Sequence, residues 1–219
     1  MIKAVIFDLD GLMVDTEQMC YQLFRKVGKE HGLDVELEFY RLLIGSNSHI
    51  LEEVSKIYPY TYDVFSWAEP LREDWFYEYF KNPGDCNKPG LQELYNYLKE
   101  NGYKIAIASS SRHKYIHKVL NHLGFEFKAD SIVGGDEVKI AKPDPAVFLK
   151  AAEMLNVPVE ECLVLEDSRN GIIAAHRANI KSVFIEDLVI PDDLMKSYYD
   201  TQLNNLTEVI DYLKKDSNN

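Results

Sequence analysis

The sequence lacks the features that mark several large classes of protein. Its three cysteines, Cys20, Cys86 and Cys162, lie far apart, and there is no C-x-x-C or Cys/His cluster that would indicate zinc. No apolar run approaches the ~18 residues of a membrane helix. The glycine-rich motifs of Walker-type nucleotide hydrolases and dinucleotide-binding proteins are absent, as is the nucleophile motif of α/β-hydrolases. Unpaired, widely spaced cysteines predict reduced thiols and a cytoplasmic location.

Positive charge is also scarce. The 219 residues include 24 Lys and Arg against 36 Asp and Glu, a net charge of −12. Such a chain repels nucleic acids and anionic membranes, so we expect neither as a partner. It also repels phosphorylated metabolites at long range. Any phosphate site must therefore supply positive charge locally, from a cation, a lysine or backbone N–H groups.

Short β-branched runs alternate with amphipathic helical patterns along most of the chain. The predicted strands are Ile2–Phe7, Lys104–Ala108, Ser131–Val133, Cys162–Leu165, Ser182–Ile185 and Thr201–Leu203. One of the intervening helices is predicted to start with Asp144 as its N-cap and Pro145 as its first residue. This alternation predicts an α/β fold with a doubly wound parallel sheet, in which ligands bind beyond the carboxyl ends of the strands.

The segment between the first strand and the first core helix follows a different pattern. Residues 16–80 show helical patterns and many aromatic residues but no strand pattern, and turn residues at 82–85 follow them. We therefore predict a small helical cap domain at 16–80, inserted into a core formed by residues 1–15 and 81–219.

Four polar clusters lie at or after the carboxyl ends of predicted strands. They are Asp8 and Asp10 with Gly11, then Ser109–Ser111, then Lys142 in K-P-D-P, and finally Glu166 with Asp167. In a parallel sheet these ends meet at one edge, so we expect the clusters to form one site.

Each cluster has a chemical and an ordinary structural interpretation. Asp8 and Asp10 can divide the roles of nucleophile or metal ligand and of general acid and base, or they can cap a turn. The serines suit phosphate oxygens, or one of them caps the next helix. Lys142 neutralises a phosphoryl group or is a solvated surface lysine. Glu166 and Asp167 are ligands of the kind Mg²⁺ prefers, or they cap a helix. Their joint order favours a single phosphoryl-transfer site.

In this order the motifs resemble those of the haloacid dehalogenase superfamily, in the branch of β-phosphoglucomutase-like phosphatases. The motifs are D-L-D-G-L-M-V-D-T-E (Asp8–Glu17), A-S-S-S (Ala108–Ser111), K-P-D-P (Lys142–Pro145) and E-D-S-R-N-G (Glu166–Gly171). The resemblance covers nearly the whole chain. It implies a Rossmann-like core and a Mg²⁺-dependent phosphatase that hydrolyses a small phosphomonoester, a sugar phosphate or a nucleotide, through a phosphoaspartyl intermediate.

The resemblance also implies roles for the acidic residues. Asp8 would attack phosphorus in line. Asp10 would protonate the leaving oxygen and then activate the hydrolytic water. Mg²⁺ would be held by Asp8, the backbone carbonyl of Asp10 and Asp167, with Glu166 as a ligand or an adjacent group.

The same resemblance implies how the phosphoryl group is held. Ser109, the Ser110 backbone N–H and Lys142 would contact its oxygens, with Gly11 beside them, so Ser109 and Lys142 count as catalytic as well as phosphate-binding. The cap would close over the substrate about hinges near Leu12–Thr16 and Asn82–Asp85. The implied partner is a small phosphorylated metabolite, bound by a monomer or weak homodimer.

Two other functions stay open at this stage. A β-phosphoglucomutase of this family carries a cap-loop arginine shortly after a glycine, and the corresponding turn here, Gly45–His49, has none, although His49 is a possible substitute. Cys20 also stands near the place of a family histidine. A binding or regulatory module that lost its chemistry is the third candidate. Against it stand the intact residues Asp8, Asp10, Lys142 and Asp167.

Overall fold

Six parallel strands form the centre of the protein. The computed structural model describes residues 1–45 and 48–217, with the backbone alone at positions 48 and 49. The strands are β1 (Ala4–Phe7), β2 (Lys104–Ala108), β3 (Ser131–Val133), β4 (Cys162–Glu166), β5 (Lys181–Ile185) and β6 (Thr201–Leu203). They lie in the order β3-β2-β1-β4-β5-β6, and every neighbouring pair is parallel. The predicted doubly wound α/β fold is confirmed.

Three strand ends differ from the predicted ones by one or two residues. β1 starts at Ala4 and not at Ile2, and β5 starts at Lys181 and not at Ser182. β4 continues to Glu166, which lies in register with Phe184 of β5. The pairing of neighbouring strands sets such ends, and a single-strand pattern does not show it. The extension of β4 makes Glu166 part of the sheet itself.

Helices cover both faces of the sheet and form the segment that follows β1. Their bounds are α1 (Thr16–Glu30), α2 (Leu37–Leu43), α3 (Ser48–Ile57), α4 (Thr61–Ala68), α5 (Arg72–Tyr79), α6 (Leu91–Glu100), α7 (His113–Leu120), α8 (Ala146–Leu155), α9 (Arg169–Arg177), α10 (Asp193–Lys196) and α11 (Thr207–Ser217). Single 3-10 turns occur at Glu69–Leu71, Gly135–Glu137 and Val159–Glu161. None of the described helices is both long and apolar enough to cross a bilayer.

The two faces of the sheet bury different partners because successive strand residues point in opposite directions. Val5 and Phe7 of β1 join a buried cluster with residues of α6, α11 and the helices of the inserted segment. Ala4 and Ile6 join a second cluster with residues of α8 and α9. That second face is rich in alanine, so α8 and α9 approach the sheet closely there.

The start of α8 differs slightly from its prediction. The helix begins at Ala146, with Pro145 in the N-cap position. The side chain of Asp144 accepts a hydrogen bond from the Ala146 N–H at 3.0 Å. Asp144 therefore stabilises this helix end as predicted, but from one position earlier in the chain.

The two connections between the sheet and the helices α1–α5 run side by side. Val14 bridges both Asp10 and Asn87, and the Asp15 N–H donates to the Cys86 carbonyl at 2.8 Å. The described residues between 16 and 80 contain the five helices α1–α5 and no strand, as the helical pattern predicted. The division of this segment from the core at residues 15/16 and 80/81 stays a prediction.

Lys88 links these two adjacent connections to the carboxyl edge of the sheet. Its Nζ lies 2.6 Å from Asp187 Oδ1 after β5 and 3.6 Å from Asp15 Oδ1 before α1. The side chains of Lys88 and Asp187 are 15% and 7% exposed. One lysine thus links three separate segments of chain in a mostly buried place.

We expect Lys88→Met to lower the free energy of unfolding by about 3 kcal/mol, because Asp187 is then buried without its counter-charge. Urea denaturation followed by circular dichroism measures this change. Lys81→Met removes an exposed lysine slightly earlier in the chain and should stay within about 0.5 kcal/mol of the unmodified protein. Equal stability of the two variants would contradict the importance of the Lys88 contacts.

Candidate active site

Polar residues from four segments meet at the carboxyl edge of the sheet. Because β1 lies between β2 and β4, the residues that follow these three strands come together. Lys142, from the segment between β3 and α8, joins them. The residues of these four segments that line a common cavity are Asp8, Asp10, Ser109, Ser110, Ser111, Lys142 and Asp167. Glu166 lies behind them, with 1% of its side chain exposed. The structure thus brings all four predicted clusters into one place.

Lys142 occupies the centre of a buried charge cluster. Its ammonium group donates to Asp8 Oδ1 and, at 2.9 Å, to Glu166 Oε2. Its Nζ also lies 4.5 Å from the ring centroid of Phe148 in α8. Burial by itself lowers the pKa of Lys142, but the charges of Asp8 and Glu166 outweigh burial and leave this pKa above its usual value. Lys142 is a buried cation, so its interpretation as a solvated surface lysine is wrong.

Three carboxyl groups share this space with that one lysine. Burial, followed by the charge of Glu166, raises the pKa of Asp8 to about 8 against the opposing effect of Lys142. Burial and the charges of Glu166 and Asp8 also raise the pKa of Asp167 well above its usual range. The site is therefore short of positive charge, and a bound cation would supply it.

Asp8, Glu166 and Asp167 are placed to hold such a cation. Each offers a carboxylate oxygen, and these oxygens lie within 4.8 Å of one another. Asp167 Oδ1 is buried and has no hydrogen-bond partner in the described part of the chain. Carboxylate oxygens suit hard cations such as Mg²⁺. Both oxygens of Glu166 already accept hydrogen bonds, from Lys142 and Ser168, which leaves Glu166 the least free of the three.

The carboxylate of Asp10 is held apart from these three. It accepts hydrogen bonds from Thr16 Oγ1 at 2.7 Å and from Ser111 Oγ at 2.6 Å. Asp10 is thereby fixed between the loop after β2 and the first residue of α1. Its predicted contribution to a metal site, through the backbone carbonyl, stays a prediction. Ser111 belongs to the predicted serine cluster, but the sequence did not indicate that Ser111 or Thr16 contacts Asp10.

The serines after β2 face different surroundings. Ser109 is buried, and its Oγ accepts a hydrogen bond from the Ser111 N–H at 3.0 Å. Ser110 is exposed and lines the cavity. None of the three caps the next helix, since α7 starts at His113 after Arg112 and has no side-chain cap. The N-cap interpretation of this cluster is wrong.

Two glycines make room for the acidic side chains. A Cβ atom at Gly171 would lie 1.9 Å from the carboxyl carbon of Glu166. A Cβ atom at Gly11, where φ is +80°, would lie 2.2 Å from Asp167 Oδ2. The N-cap of α9 is Ser168, so neither acidic residue serves as the cap. Gly11 was predicted to lie beside phosphate, and its close neighbour here is a carboxylate. Apart from its place in the motif, nothing in the local pattern around Gly171 indicated that it makes room for Glu166.

The inserted helices close the other side of the cavity, which measures about 360 Å³. This volume lies at the small end of the range of about 300–1,000 Å³ that is usual for ligand sites. The apolar lining residues from this side include Phe24, Leu43, Leu51, Phe65 and Ala68, and the polar ones include Glu17, Cys20, Tyr40 and Arg72. Helical periodicity alone did not reveal which of these side chains face the site.

The turn after α2 also contacts the core. The Asn170 side-chain amide, at the start of α9, donates to the Gly45 carbonyl. Ser46 and Asn47 lie outside the described residues, as do the side chains at positions 48 and 49. The possible substitution of His49 for a cap-loop arginine therefore stays a prediction.

Comparison with known proteins identifies the class to which this fold and site belong. A family model described as haloacid dehalogenase-like hydrolase matches residues 5–185, so the chain belongs to this family and is an enzyme of the hydrolase class. The match extends from β1 to the end of β5 and includes all four motifs. The resemblance inferred from the motifs is confirmed.

Individual relatives place the chain more closely within the family. It is 34% identical over 215 residues to the provisionally named phosphatase YhcW of Bacillus subtilis, covering 95% of this chain and 94% of that one. It is 31% identical over 187 residues to the phosphorylated carbohydrates phosphatase of Thermotoga maritima, covering 84% of each. The crystal structure of β-phosphoglucomutase from Clostridium difficile matches with a TM-score of 0.76 and 28% identity, over 100% of this chain and 98% of that one. The chain is thus similar to the β-phosphoglucomutase-like members.

We expect Gly171→Ala to lower the free energy of unfolding by about 1–3 kcal/mol, because the added methyl group overlaps the carboxyl group of Glu166. Without such an overlap, replacing glycine by alanine inside a helix raises the free energy of unfolding by about 1 kcal/mol. A decrease would therefore show that the overlap with Glu166 outweighs the helix preference of alanine. Urea denaturation measures the change. A variant as stable as the unmodified protein, or more stable, would show that Glu166 moves aside without cost.

Proposed function

We propose that this protein is a Mg²⁺-dependent phosphatase that hydrolyses a small phosphomonoester through an aspartyl phosphate on Asp8. The observation that carries the proposal is the buried group of Asp8, Lys142 and Asp167 on one wall of a small cavity, with Asp10 held nearby. A nucleophile, a cation and a proton-transfer group thus face one space. Phosphoryl transfer depends mainly on such positioning and charge neutralisation.

In the first step a carboxylate oxygen of Asp8 forms a bond to phosphorus, and the bond from phosphorus to the ester oxygen breaks. Asp10, in its protonated form, gives its proton to that leaving oxygen, so a neutral alcohol departs. In the second step water attacks the phosphorus of the aspartyl phosphate, and Asp10 takes the proton from the water. Inorganic phosphate leaves, and the Asp8 carboxylate is restored.

The negatively charged oxygens of the phosphoryl group need cations or hydrogen-bond donors beside them in both steps. Lys142 supplies a fixed ammonium group beside Asp8, while the Ser109 hydroxyl and the Ser110 N–H supply neutral donors. Asp8 and Asp167, with Glu166 as a ligand or an adjacent group, fit a Mg²⁺ ion that neutralises charge on the phosphoryl group when it is bound. Glu166 holds Lys142 in place through the contact at 2.9 Å.

We propose that residues 16–80 act as a cap over a core made of residues 1–15 and 81–219. Side chains of both parts line the cavity, and the contact from Asn170 to Gly45 joins them at its edge. A closed cap excludes water and strengthens the electrostatic interactions inside. The hinges would lie near Leu12–Thr16 and Asn82–Asp85, on either side of the paired connection.

The similarity to a phosphorylated carbohydrates phosphatase supports a sugar phosphate as the substrate class, with a nucleotide as the alternative. A cavity of about 360 Å³ favours a small metabolite. We also propose that the enzyme works in the cytoplasm as a monomer or weak homodimer, without nucleic acid or membrane partners. Its three buried, unpaired cysteines and its net charge of −12 support these assignments.

A β-phosphoglucomutase activity is the second candidate, because a solved enzyme of that name shares the fold along the whole chain. Such an enzyme interconverts β-glucose 1-phosphate and glucose 6-phosphate and has to bind two phosphate positions. The turn at 45–49 contains no arginine, which favours the phosphatase. Conversion of β-glucose 1-phosphate to glucose 6-phosphate with little phosphate release would reverse this ranking.

We expect Asp8→Asn to lower phosphate release by about 1,000-fold or more, because the amide is a poor nucleophile. The assay uses p-nitrophenyl phosphate, hexose phosphates and nucleotides, each with and without Mg²⁺. The variant should keep its circular dichroism spectrum, since the amide has nearly the shape of the carboxylate. Undiminished turnover in a folded Asp8→Asn protein would rule out Asp8 as the nucleophile.

We expect chelation of divalent metal by EDTA to abolish turnover and added Mg²⁺ to restore it. Asp167→Asn should raise the Mg²⁺ concentration needed for half-maximal activity by at least about 10-fold, because a charged ligand is lost. Isothermal titration calorimetry with Mg²⁺ gives a second reading without turnover. Asp193→Asn changes an exposed aspartate of α10 and serves as the control. Full activity in the presence of EDTA would contradict the metal requirement.

A further inference from the structure

The cavity wall formed by the inserted helices carries a carboxyl group that the proposed mechanism does not use. Glu17 lies in α1, near the start of the helix, and its Oε2 accepts a hydrogen bond from the Tyr40 hydroxyl at 2.7 Å. Both residues line the cavity. Glu69 contributes to the same lining, but its side chain is 72% exposed and pairs with Arg72 at 3.6 Å. Glu17 is therefore the more deeply placed of these two carboxyl groups.

The surroundings of Glu17 leave it in need of further hydrogen-bond donors. Burial raises the pKa of its carboxyl group to about 7, although the bond from Tyr40 opposes this shift. A carboxylate has about four acceptor positions, and the Tyr40 hydroxyl fills one of them. Acceptors in a partly dry site are stabilised when a ligand supplies donors. Hydroxyl groups of a bound substrate are donors of this kind.

The rest of this wall determines which kind of substrate can supply them. Phe24, Leu43 and Phe65 present apolar surface that suits a carbon chain. Arg72 donates to Cys20 Sγ at 3.6 Å and adds one cation to the lining. A neutral polyol matches an acceptor and a donor together, whereas a second anion would be repelled by Glu17.

We propose that Glu17, held by Tyr40, accepts hydrogen bonds from hydroxyl groups of the leaving alcohol. The site thereby selects phosphomonoesters of neutral polyhydroxy compounds, sugars or alditols, over esters whose distal end carries a second anion. This inference rests on the proposed phosphatase function and identifies the leaving alcohol as the part of the substrate that contacts the inserted helices.

The test compares kcat/KM for three phosphomonoesters: sorbitol 6-phosphate, phosphoglycolate and p-nitrophenyl phosphate. They carry a polyol, an anionic group and no hydroxyl group, respectively. The unmodified enzyme should prefer sorbitol 6-phosphate. Glu17→Ala should lower kcat/KM for this substrate by about 10- to 100-fold, the effect of losing one hydrogen bond to a charged group. It should change the value for p-nitrophenyl phosphate by less than about 3-fold.

Three further variants separate recognition from folding. Glu17→Gln keeps one carbonyl acceptor and should lower kcat/KM for the polyol less than Glu17→Ala does. Tyr40→Phe removes the bond that orients the carboxylate and should have an effect in the same direction. Glu30→Ala removes an exposed glutamate of the same helix and should leave all three values unchanged. Thermal melts verify that each variant is folded.

Binding measurements keep the inference apart from the phosphatase proposal. Calorimetry with Asp8→Asn protein and Mg²⁺ reports the affinity for sorbitol 6-phosphate without turnover, and Glu17→Ala in that background should weaken it by about 10-fold or more. If the unmodified enzyme releases no phosphate from any ester, the phosphatase proposal fails, and this binding result still supports or overturns the role of Glu17.

Two results would overturn the inference while the phosphatase function stands. One is an equal loss of activity on all three esters in Glu17→Ala, which would show a structural role. The other is a preference of the unmodified enzyme for phosphoglycolate that Glu17→Ala does not reduce, which would show that Arg72 recognises a distal anion.

Discussion

The buried contact of Lys142 with Asp8 and Glu166 is the interaction on which the site depends. Two carboxyl groups and an ammonium group have left water, and the charge of Lys142 offsets part of the cost of burying the two acids. The three groups come from the end of β1, the segment before α8 and the end of β4. The contact therefore holds together strands and a loop that are far apart in sequence. It also leaves Asp8 buried beside a fixed positive charge.

The order of the strands explains why these groups meet. β1 is the first strand of the chain, yet it lies in the middle of the sheet, between β2 and β4. The chain crosses to one side for β2 and β3 and to the other for β4 to β6, so the loops at the carboxyl ends separate and leave a crevice there. The acidic residues lie in that crevice, and their excess of negative charge favours a cation.

The inserted helices add what the sheet alone does not supply. The open edge of a sheet leaves bound groups in contact with water, where charge interactions are weak. Residues of α1–α5 cover the crevice with a mainly apolar wall that carries a few polar groups. Thr16 at the start of α1 also donates a hydrogen bond to Asp10, so the covering segment contacts the acidic residues as well as enclosing the cavity. The cavity is thus lined on one side by residues that follow the strands and on the other by residues of the inserted helices.

Much of the fold follows from local pattern. The predicted bounds of β2 and β3 match the structure, because these strands are buried apolar segments whose ends are marked by polar or turn residues. The bounds of β6 also match, although this edge strand is short and partly exposed. Three of the four motifs were recognisable because their polar residues lie at the end of such a segment, whereas the motif that contains Lys142 lies further along the chain after β3. The helix start near Asp144 was also visible, although its position differed by one residue. Local patterns succeed here because each of these features depends on neighbours in the chain.

The sequence by itself determined the class of fold, the family and the four polar motifs that meet at the carboxyl edge of the sheet. Only the tertiary structure decided the contacts between distant residues. It showed that Lys142 is buried, that Thr16 and Ser111 hold Asp10, and that Gly171 makes room for Glu166. It also showed which side chains of α1 and α2 face the cavity, Glu17 and Tyr40 among them. The physical reason is that burial and pairing of charges depend on how separate segments pack, and helical periodicity shows which face is apolar but not what that face meets.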